Sequence, residues 1–364
     1  MIHDVAIVGA GIAGASLAAA IGDAARVLLL EAEDRPGYHA TGRSAAFWSE
    51  TYGGPAIQPL TSASGATLRD GGYLDPLGSL HIGRAQDAAA AEAFLTAFAG
   101  SGVALDTVDP AGVVPGLRPD WTIGIAEPTC AYIDVAALHG DYLAAARRSG
   151  GTLVTSAVLR GAARQDGVWR LDTAAGPFAA RLLVDAAGAW ADGIARLAGV
   201  PPLGITPHRR TMVQMRTDPA PPPRLPLVED IAGSFYFKPE AGGRLWLTPS
   251  DETPSDPCDA AAEEIDVAVA IDRFEGAVDW RVAGLERRWA GLRSFAPDRL
   301  PVYGFDPRMP GFFWFAGQGG FGIQTAPAAA ALAAALLLDR APPAFVGTID
   351  VDRYAPTRFT DVSG

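Results

Sequence analysis

The chain is short of cysteine, histidine and lysine. It has two cysteines, Cys130 and Cys258, far apart in sequence. They match no metal-ligand spacing and no disulfide framework, so a reducing, cytoplasmic location is expected. The five histidines do not cluster at any ligand spacing, so no metal site is expected. Lys238 is the sole lysine, and every other basic side chain is an arginine. Positive charge is in deficit: 29 Lys and Arg against 41 Asp and Glu give a net charge of −12. Nucleic acid and anionic membranes are poor partners for such a chain, although a local basic pocket could hold a small anion. Long apolar runs are missing too. The longest, Thr325 to Leu338, is mostly alanine and falls short of the ~20 residues of a membrane span. The apolar N-terminus has no basic n-region and leads straight into a glycine motif, so no secretion signal and no integral membrane contact are expected.

The 364 residues are 49 % apolar, which suits about two domains with a substantial core and excludes disorder for the bulk of the chain. Val5-Ala6-Ile7-Val8 reads as a buried strand, the alanine-rich stretch to Ala25 as a helix, and Val27 to Leu30 as a second strand. Together they make one βαβ unit. Similar signals return late: a helix at Asp141 to Arg148, short strands within Gly151 to Arg170 around an Asp166-Gly167 turn, and a strand at Leu182 to Asp185. A last strand, Gly311 to Ala316, precedes a glycine loop and a helix. Between these lie residues 76–140, read as one helix (Asp87 to Ala99) with loops, and residues 204–292, read as strands with a helix at Ala261 to Phe274. The pattern predicts an α/β protein in which two domains interleave. One comprises residues 1–75, 141–203 and 293–364, the other residues 76–140 and 204–292.

Three motifs carry chemistry. Gly9-Ala10-Gly11-Ile12-Ala13-Gly14 follows a strand and opens a helix, and Glu31 ends the next strand. Glycines there permit a tight turn and close approach of a pyrophosphate to the helix N-terminus, while the acid can accept from a ribose hydroxyl. This Rossmann fingerprint does not tell NAD from FAD. The second motif, Thr41-Gly42-Arg43-Ser44-Ala45-Ala46, could offer N–H groups, a hydroxyl and a guanidinium to a diphosphate, or could be a loop and helix cap. The third, Gly317-Gln318-Gly319-Gly320-Phe321-Gly322-Ile323-Gln324, packs glycines ahead of a helix whose positive end suits an anionic ring such as a reduced flavin.

These motifs occur in this order with Asp185-Ala186-Ala187-Gly188-Ala189-Trp190 between the second and third. So placed, they resemble the FAD-dependent D-amino acid oxidase family, which includes glycine and sarcosine oxidases. Within it the likeness is nearest to the D-arginine dehydrogenases. The phrases Gly37 to Ala46, Ser234 to Pro239, Trp289 to Phe295 and Gln318 to Thr325 carry it over nearly the whole chain. The resemblance implies a Rossmann-like FAD-binding domain interleaved with a sheet-based α+β substrate domain. It implies non-covalent FAD held by the three motifs and by Val158, Ala187, Gly188 and Trp190.

It also implies a substrate site. Arg210 and Arg293 match two arginines that hold a carboxylate, and a planar guanidinium fork suits that group. Tyr52 and Tyr236 match tyrosines lining the site, and Gly320 matches a glycine whose carbonyl meets the substrate amine. Arg209 could point inward in place of Arg210. Where the relative reads a basic side chain with a glutamate, this chain has Ser79. Phe47 stands for a histidine and Ser49 for a threonine, with Trp48 between them and His81 two residues past Ser79. A neutral or hydrophobic D-amino acid is therefore expected, oxidised to a 2-oxo acid and ammonia by hydride transfer to flavin N5. The electron acceptor, whether a quinone, an electron-transfer protein or oxygen, stays open. Oxidation of a 2-hydroxy acid and non-catalytic flavin binding remain as alternatives. An NAD-linked dehydrogenase would need a second nucleotide site that the sequence does not contain.

Overall fold

The computed structural model describes residues 1–359. The elements that position the cavity are, in chain order, β1 (His3–Val8), α1 (Ile12–Ile21), β2 (Val27–Leu30), β3 (Ser79–Arg84), α2 (Val135–Arg148), β4 (Gly176–Asp185), β5 (Thr206–Asp218), β6 (Leu227–Asp230), β7 (Tyr236–Glu240), β8 (Arg244–Thr248), α3 (Glu264–Glu275), β9 (Arg281–Phe295), β10 (Phe312–Ala316) and α4 (Ala326–Leu337).

The first sheet has parallel strands at its centre. β1 lies between β2 and β4, and β10 adds to the far side of β4. Alternation divides its core in two. Val5 and Ile7 pack with α1 and α4 on one face, while Ala6 and Val8 pack with Trp169, Leu183 and Trp314 on the other. Both faces are covered, which is why these strands are apolar throughout. Helices α1 and α4 are mostly alanine because they pack tightly against the sheet and each other.

The second sheet is mostly antiparallel and runs β9-β5-β8-β7-β6-β3 before continuing to Trp121–Glu127. Its two faces differ in kind. Leu80, Val213, Val228, Phe237 and Leu247 bury one face against Val267, Ala270 and Phe274 of α3. The residues that alternate with them point the other way, toward the first sheet.

Three readings of the sequence change. The helix read at Asp141 to Arg148 begins at Val135, capped by the Asp134 carboxylate accepting from the Ala137 N–H at 2.9 Å. Residues 76–140 are not one helix with loops, since they contribute β3, Trp121–Glu127 and two short strands to sheets. The border expected after Leu292 falls inside β9, so Arg293 extends from the second sheet.

Candidate functional site

A cavity of about 760 Å³ opens between the C-terminal ends of β1, β2 and β4 and the inward face of the second sheet. The nucleotide motifs line one end. Gly9, Gly11, Ile12, Ala13 and Glu31 face it, as do Thr41, Arg43, Ser44 and Ala45, then Val158, Ala187, Gly188 and Trp190. From the last motif, Gly319, Gly320, Gly322 and Ile323 reach it.

Other residues of the same motifs stand behind the wall. The Ala10 N–H donates to Glu31 Oε2 at 2.9 Å, which ties the first turn to the end of β2. Gly14 sits where any Cβ would run into the Gly9 carbonyl, so it serves helix–strand packing. Gly42 is likewise packed on the Gly37 carbonyl. Ala46 accepts from the Ile133 N–H through its carbonyl, and Phe321 stacks edge-on against Tyr52 at 5.4 Å. Gln324 accepts from the Ser49 N–H and donates to the Tyr52 carbonyl and Thr61 Oγ1, fastening the 49–52 loop to the head of α4.

Arg43 departs from the role that its motif suggested. Its guanidinium donates to the Tyr38, Ala260 and Ala290 carbonyls and to Asp259. It faces the cavity but acts as a strap holding the 258–260 segment in place. That segment brings Cys258 to the cavity wall, an exposed thiol that no sequence motif placed there.

At the other end, β5 and β9 present two guanidinium groups. Arg210 and Arg293 both line the cavity. Arg209 points to the opposite side of β5, where Glu263 and Asp266 hold it. Strand alternation settles which of the adjacent arginines turns inward. Arg293 Nη2 donates to the Tyr52 hydroxyl at 3.0 Å and Nη1 to Glu252 Oε1 at 3.0 Å. Arg210 Nε donates to the Asp251 carbonyl at 2.9 Å, and Nη2 reaches Glu252 Oε1 at 3.4 Å. Glu252 also receives Arg299, so one carboxylate steadies three arginines at the pair's outer edge. The Arg293 Nε is buried and has no hydrogen-bond partner among the described residues. Burial pulls the Arg293 pKa below its ordinary value, opposed by the nearby Tyr52 hydroxyl. Gly320 lies against this guanidinium so closely that any Cβ would overlap it.

Tyr236 is buried beside the pair and lines the cavity with Tyr52 and Met212. Desolvation raises its hydroxyl pKa far above the ordinary value, so it stays protonated. Phe47 backs both tyrosines, edge-on, at 4.9 Å and 5.6 Å, without reaching the cavity. Trp48 alternates away and gives its indole N–H to the Thr61 carbonyl, so it is a core residue. Ser49 and His81 join a buried network around Glu127. That carboxylate accepts from Ser49 Oγ at 2.8 Å, Thr51 Oγ1 at 2.6 Å and the Glu50 N–H at 2.6 Å, and His81 Nε2 lies 3.4 Å from Thr51 Oγ1. Burial raises the Glu127 pKa and lowers that of His81 to about 4, so His81 is neutral at working pH. Ser79 is buried on the same face but lines nothing.

Residues 4–336 match the family described as FAD dependent oxidoreductase, DAO. The chain belongs to that family. Glycine oxidase of Geobacillus kaustophilus is 32 % identical over 168 residues, which cover 46 % of this chain and 43 % of that protein. Human mitochondrial dimethylglycine dehydrogenase is 26 % identical over 260 residues, 65 % of this chain but 30 % of that protein. FAD-dependent oxidoreductase domain-containing protein 1 of Bos taurus is 28 % identical over 179 residues, 45 % of this chain and 37 % of that protein. The matched stretches thus span less than half of each of these relatives. Among solved structures, glycine oxidase from G. kaustophilus superposes with a TM-score of 0.83 at 24 % identity, covering 98 % of both chains. L-proline dehydrogenase from P. horikoshii superposes with a TM-score of 0.86 at 19 % identity, covering 99 % of this chain and 98 % of that one. The fold is therefore that of the family, and the cofactor is FAD. The narrower likeness to D-arginine dehydrogenases rests on the motif phrases alone.

The chain fits that cofactor. Helix α1 has no acid in its first turn and a side-chain-free N-cap, Gly11; Thr41 Oγ1 accepts the Ile12 N–H at 3.0 Å, and the rest of the positive end is left to an anion. A Cβ at Gly9, whose φ is +100°, would come within 2.5 Å of the Ala186 carbonyl, so this turn needs a bare backbone there, and one at Gly11 would crowd Thr41 Oγ1 at 3.1 Å. Glu31 is buried at the cavity wall, as a ribose acceptor requires.

Sequence reasoning missed Met212, Glu127, Glu252 and Cys258. Alternation along β5 from Arg210 would have found Met212. The others come close only through the tertiary fold. Among the described residues, no helix is long and apolar enough to cross a membrane.

Proposed function

We propose that the protein oxidises the Cα–N bond of a free α-amino acid, with the D enantiomer favoured by the resemblance of its motifs. The observation that carries this reading is the Arg210–Arg293 pair, which turns one end of the FAD cavity positive inside a chain of net charge −12. An α-carboxylate would take the unpartnered Arg293 Nε and the inward edge of Arg210, with the Tyr52 hydroxyl as a further donor. The Gly320 carbonyl, on the turn touching Arg293, would accept from the amine. Bound FAD supplies the acceptor for the hydride that leaves the α-carbon, and a proton leaves the amine. The imino acid then takes up water and yields a 2-oxo acid and ammonia. Tyr236, held protonated by burial, orients the substrate and does not act as a base at neutral pH. The residues named here place the substrate and hold its charge while the cofactor does the redox chemistry.

The single lysine bears on the electron acceptor. Lys238 Nζ is bound to Glu240 at 3.1 Å and enclosed by the Tyr132 and Trp246 rings at 4.4 Å and 4.3 Å, away from the cavity wall. This position supports a dehydrogenase that passes electrons to a quinone or an electron-transfer protein.

Anaerobic mixing of the holoenzyme with D- and L-amino acids and with 2-hydroxy acids tests the reading. Bleaching of the flavin band by D-amino acids, with 2-oxo acid and ammonia formed in equal amounts, is expected. Bleaching by 2-hydroxy acids alone, or by none of the three classes, overturns it. Reoxidation by a quinone much faster than by oxygen is expected for a dehydrogenase, and the reverse order makes the protein an oxidase.

A further inference from the structure

The expectation of a neutral substrate rested on Ser79, but a different carboxylate stands on the same face of the sheet. Glu229 in β6 pairs with Tyr236 across one neighbour and with His81 across the other. Its chain neighbour Val228 belongs to the core against α3, so the Glu229 side chain emerges on the same face as Leu227, Met212 and Tyr236; Met212 and Tyr236 line the cavity, and Glu229, half-buried, stands just beyond that lining. Leu227, Met212 and Tyr236 give that layer an apolar and aromatic stretch between Glu229 and the arginine pair.

Glu229 has no hydrogen bond or ion pair among the described residues. The groups best placed to provide one are committed elsewhere. His81, its cross-strand partner, is neutral, lies 3.4 Å from Thr51 Oγ1 and packs on the Phe94 ring at 4.5 Å. Lys238, on the same face two residues past Tyr236, is held by Glu240 and two aromatic rings. Arg210 and Arg293 feel the charge but donate to Asp251, Glu252 and Tyr52. Desolvation pushes the Glu229 pKa up to about 7, against the pull of those two arginines. This half-buried carboxylate has no protein partner and is left to solvent, and a bound cation would take that place.

We propose that Glu229 reads a terminal cation, an ammonium or guanidinium, on the side chain of the substrate. This rests on reading the cavity as an amino-acid site. The spacing suits a long side chain. β6 lies three strands from β5, at about 4.8 Å per strand, and Arg210 reaches back across part of that distance. A substrate whose carboxylate sits on the arginine pair would run its aliphatic stem past Tyr236 and Met212 and end at Glu229. The apolar wall then serves the stem of a basic amino acid.

The test uses ligands of equal length with and without the cation. The holoenzyme is titrated with 6-aminohexanoate and with hexanoate, following the flavin absorbance, and neither ligand needs to turn over. Wild type is expected to bind 6-aminohexanoate about tenfold or more tightly than hexanoate, and Glu229→Gln to erase the difference while keeping hexanoate affinity. In turnover, Glu229→Gln is expected to lower kcat/KM for D-lysine about tenfold or more and leave D-norleucine within about threefold. Equal binding of the two acids by wild type, or equal losses on the two amino acids in the variant, overturns the proposal. If no amino acid is oxidised but 6-aminohexanoate keeps its advantage through Glu229, the cation site stands and the amino-acid reading fails. If D-norleucine is oxidised at least as well as D-lysine and the two acids bind alike, the amino-acid reading stands and the cation site fails.

Discussion

The two ends of the cavity are built on different principles. The nucleotide end is mostly backbone: Gly9, Gly11 and the N-terminus of α1 form a cradle from residues close together in sequence, with Glu31 and Thr41 as added side chains. The substrate end is mostly side chains, brought from β5, β7, β9 and the 49–52 loop, which are far apart in sequence. A backbone cradle tolerates almost no added atom, because its walls are main chain that cannot turn aside. A side-chain site tolerates substitution and changes its selectivity, because each group acts through charge and reach.

That contrast can be broken most sharply at Gly14. Gly14→Val would drive side-chain atoms into the Gly9 carbonyl, and the purified protein is expected to emerge without flavin colour. A yellow, fully loaded variant would show that the cradle is softer than the close packing implies. Arg293→Ala comes next. It should leave flavin content intact and lower kcat/KM roughly a hundred- to thousandfold, by removing the buried partner of the carboxylate. Loss of flavin in that variant would mean that the two ends are not independent.

A third measurement addresses the network behind the substrate end. His81 has its pKa lowered to about 4 by burial, against about 6.5 in the unfolded chain. Between those values the unfolded state binds the extra proton, so stability falls as the pH drops from about 6.5 toward 4. The loss approaches roughly 3 kcal/mol. Denaturant melts of wild type and His81→Gln across this window should show a flatter acid limb for the variant, and parallel limbs would remove His81 from the account. The smallest effect is expected at Tyr52→Phe. Loss of the hydroxyl that receives Arg293 Nη2 should raise KM about fivefold, on the order of 1 kcal/mol, with little change in kcat. An equal fall in kcat would give Tyr52 a role in the chemical step.

Legibility of the fold and the site in the sequence followed the same divide. The βαβ unit, the glycine turns and the strand before the last glycine motif could be read because each depends on residues within one short window. Arg43 shows the limit. Its motif suggested a phosphate ligand, yet Asp259, Ala260 and Ala290, all more than two hundred residues away, take its donors. Trp48 shows another. Adjacent to Phe47 in sequence, it faces the opposite side of a two-residue strand and packs in a separate core. Ser79 was judged by its own identity, but only the register of β6 against β3 shows what it faces: Leu227 lies opposite Ser79, and Glu229 lies opposite His81.

By itself the sequence determined the nucleotide fold, since its local motifs write their backbone demands in consecutive residues; the flavin and the arginine pair were expected only from the resemblance that those motifs carry. Tertiary structure alone decided that Arg210 and not Arg209 turns inward, that Glu252 steadies the pair, and that Glu229 stands between Tyr236 and His81 across its sheet. The reason is physical: which face a side chain takes, and which charge it meets, are set by strand register and packing between segments distant in the chain.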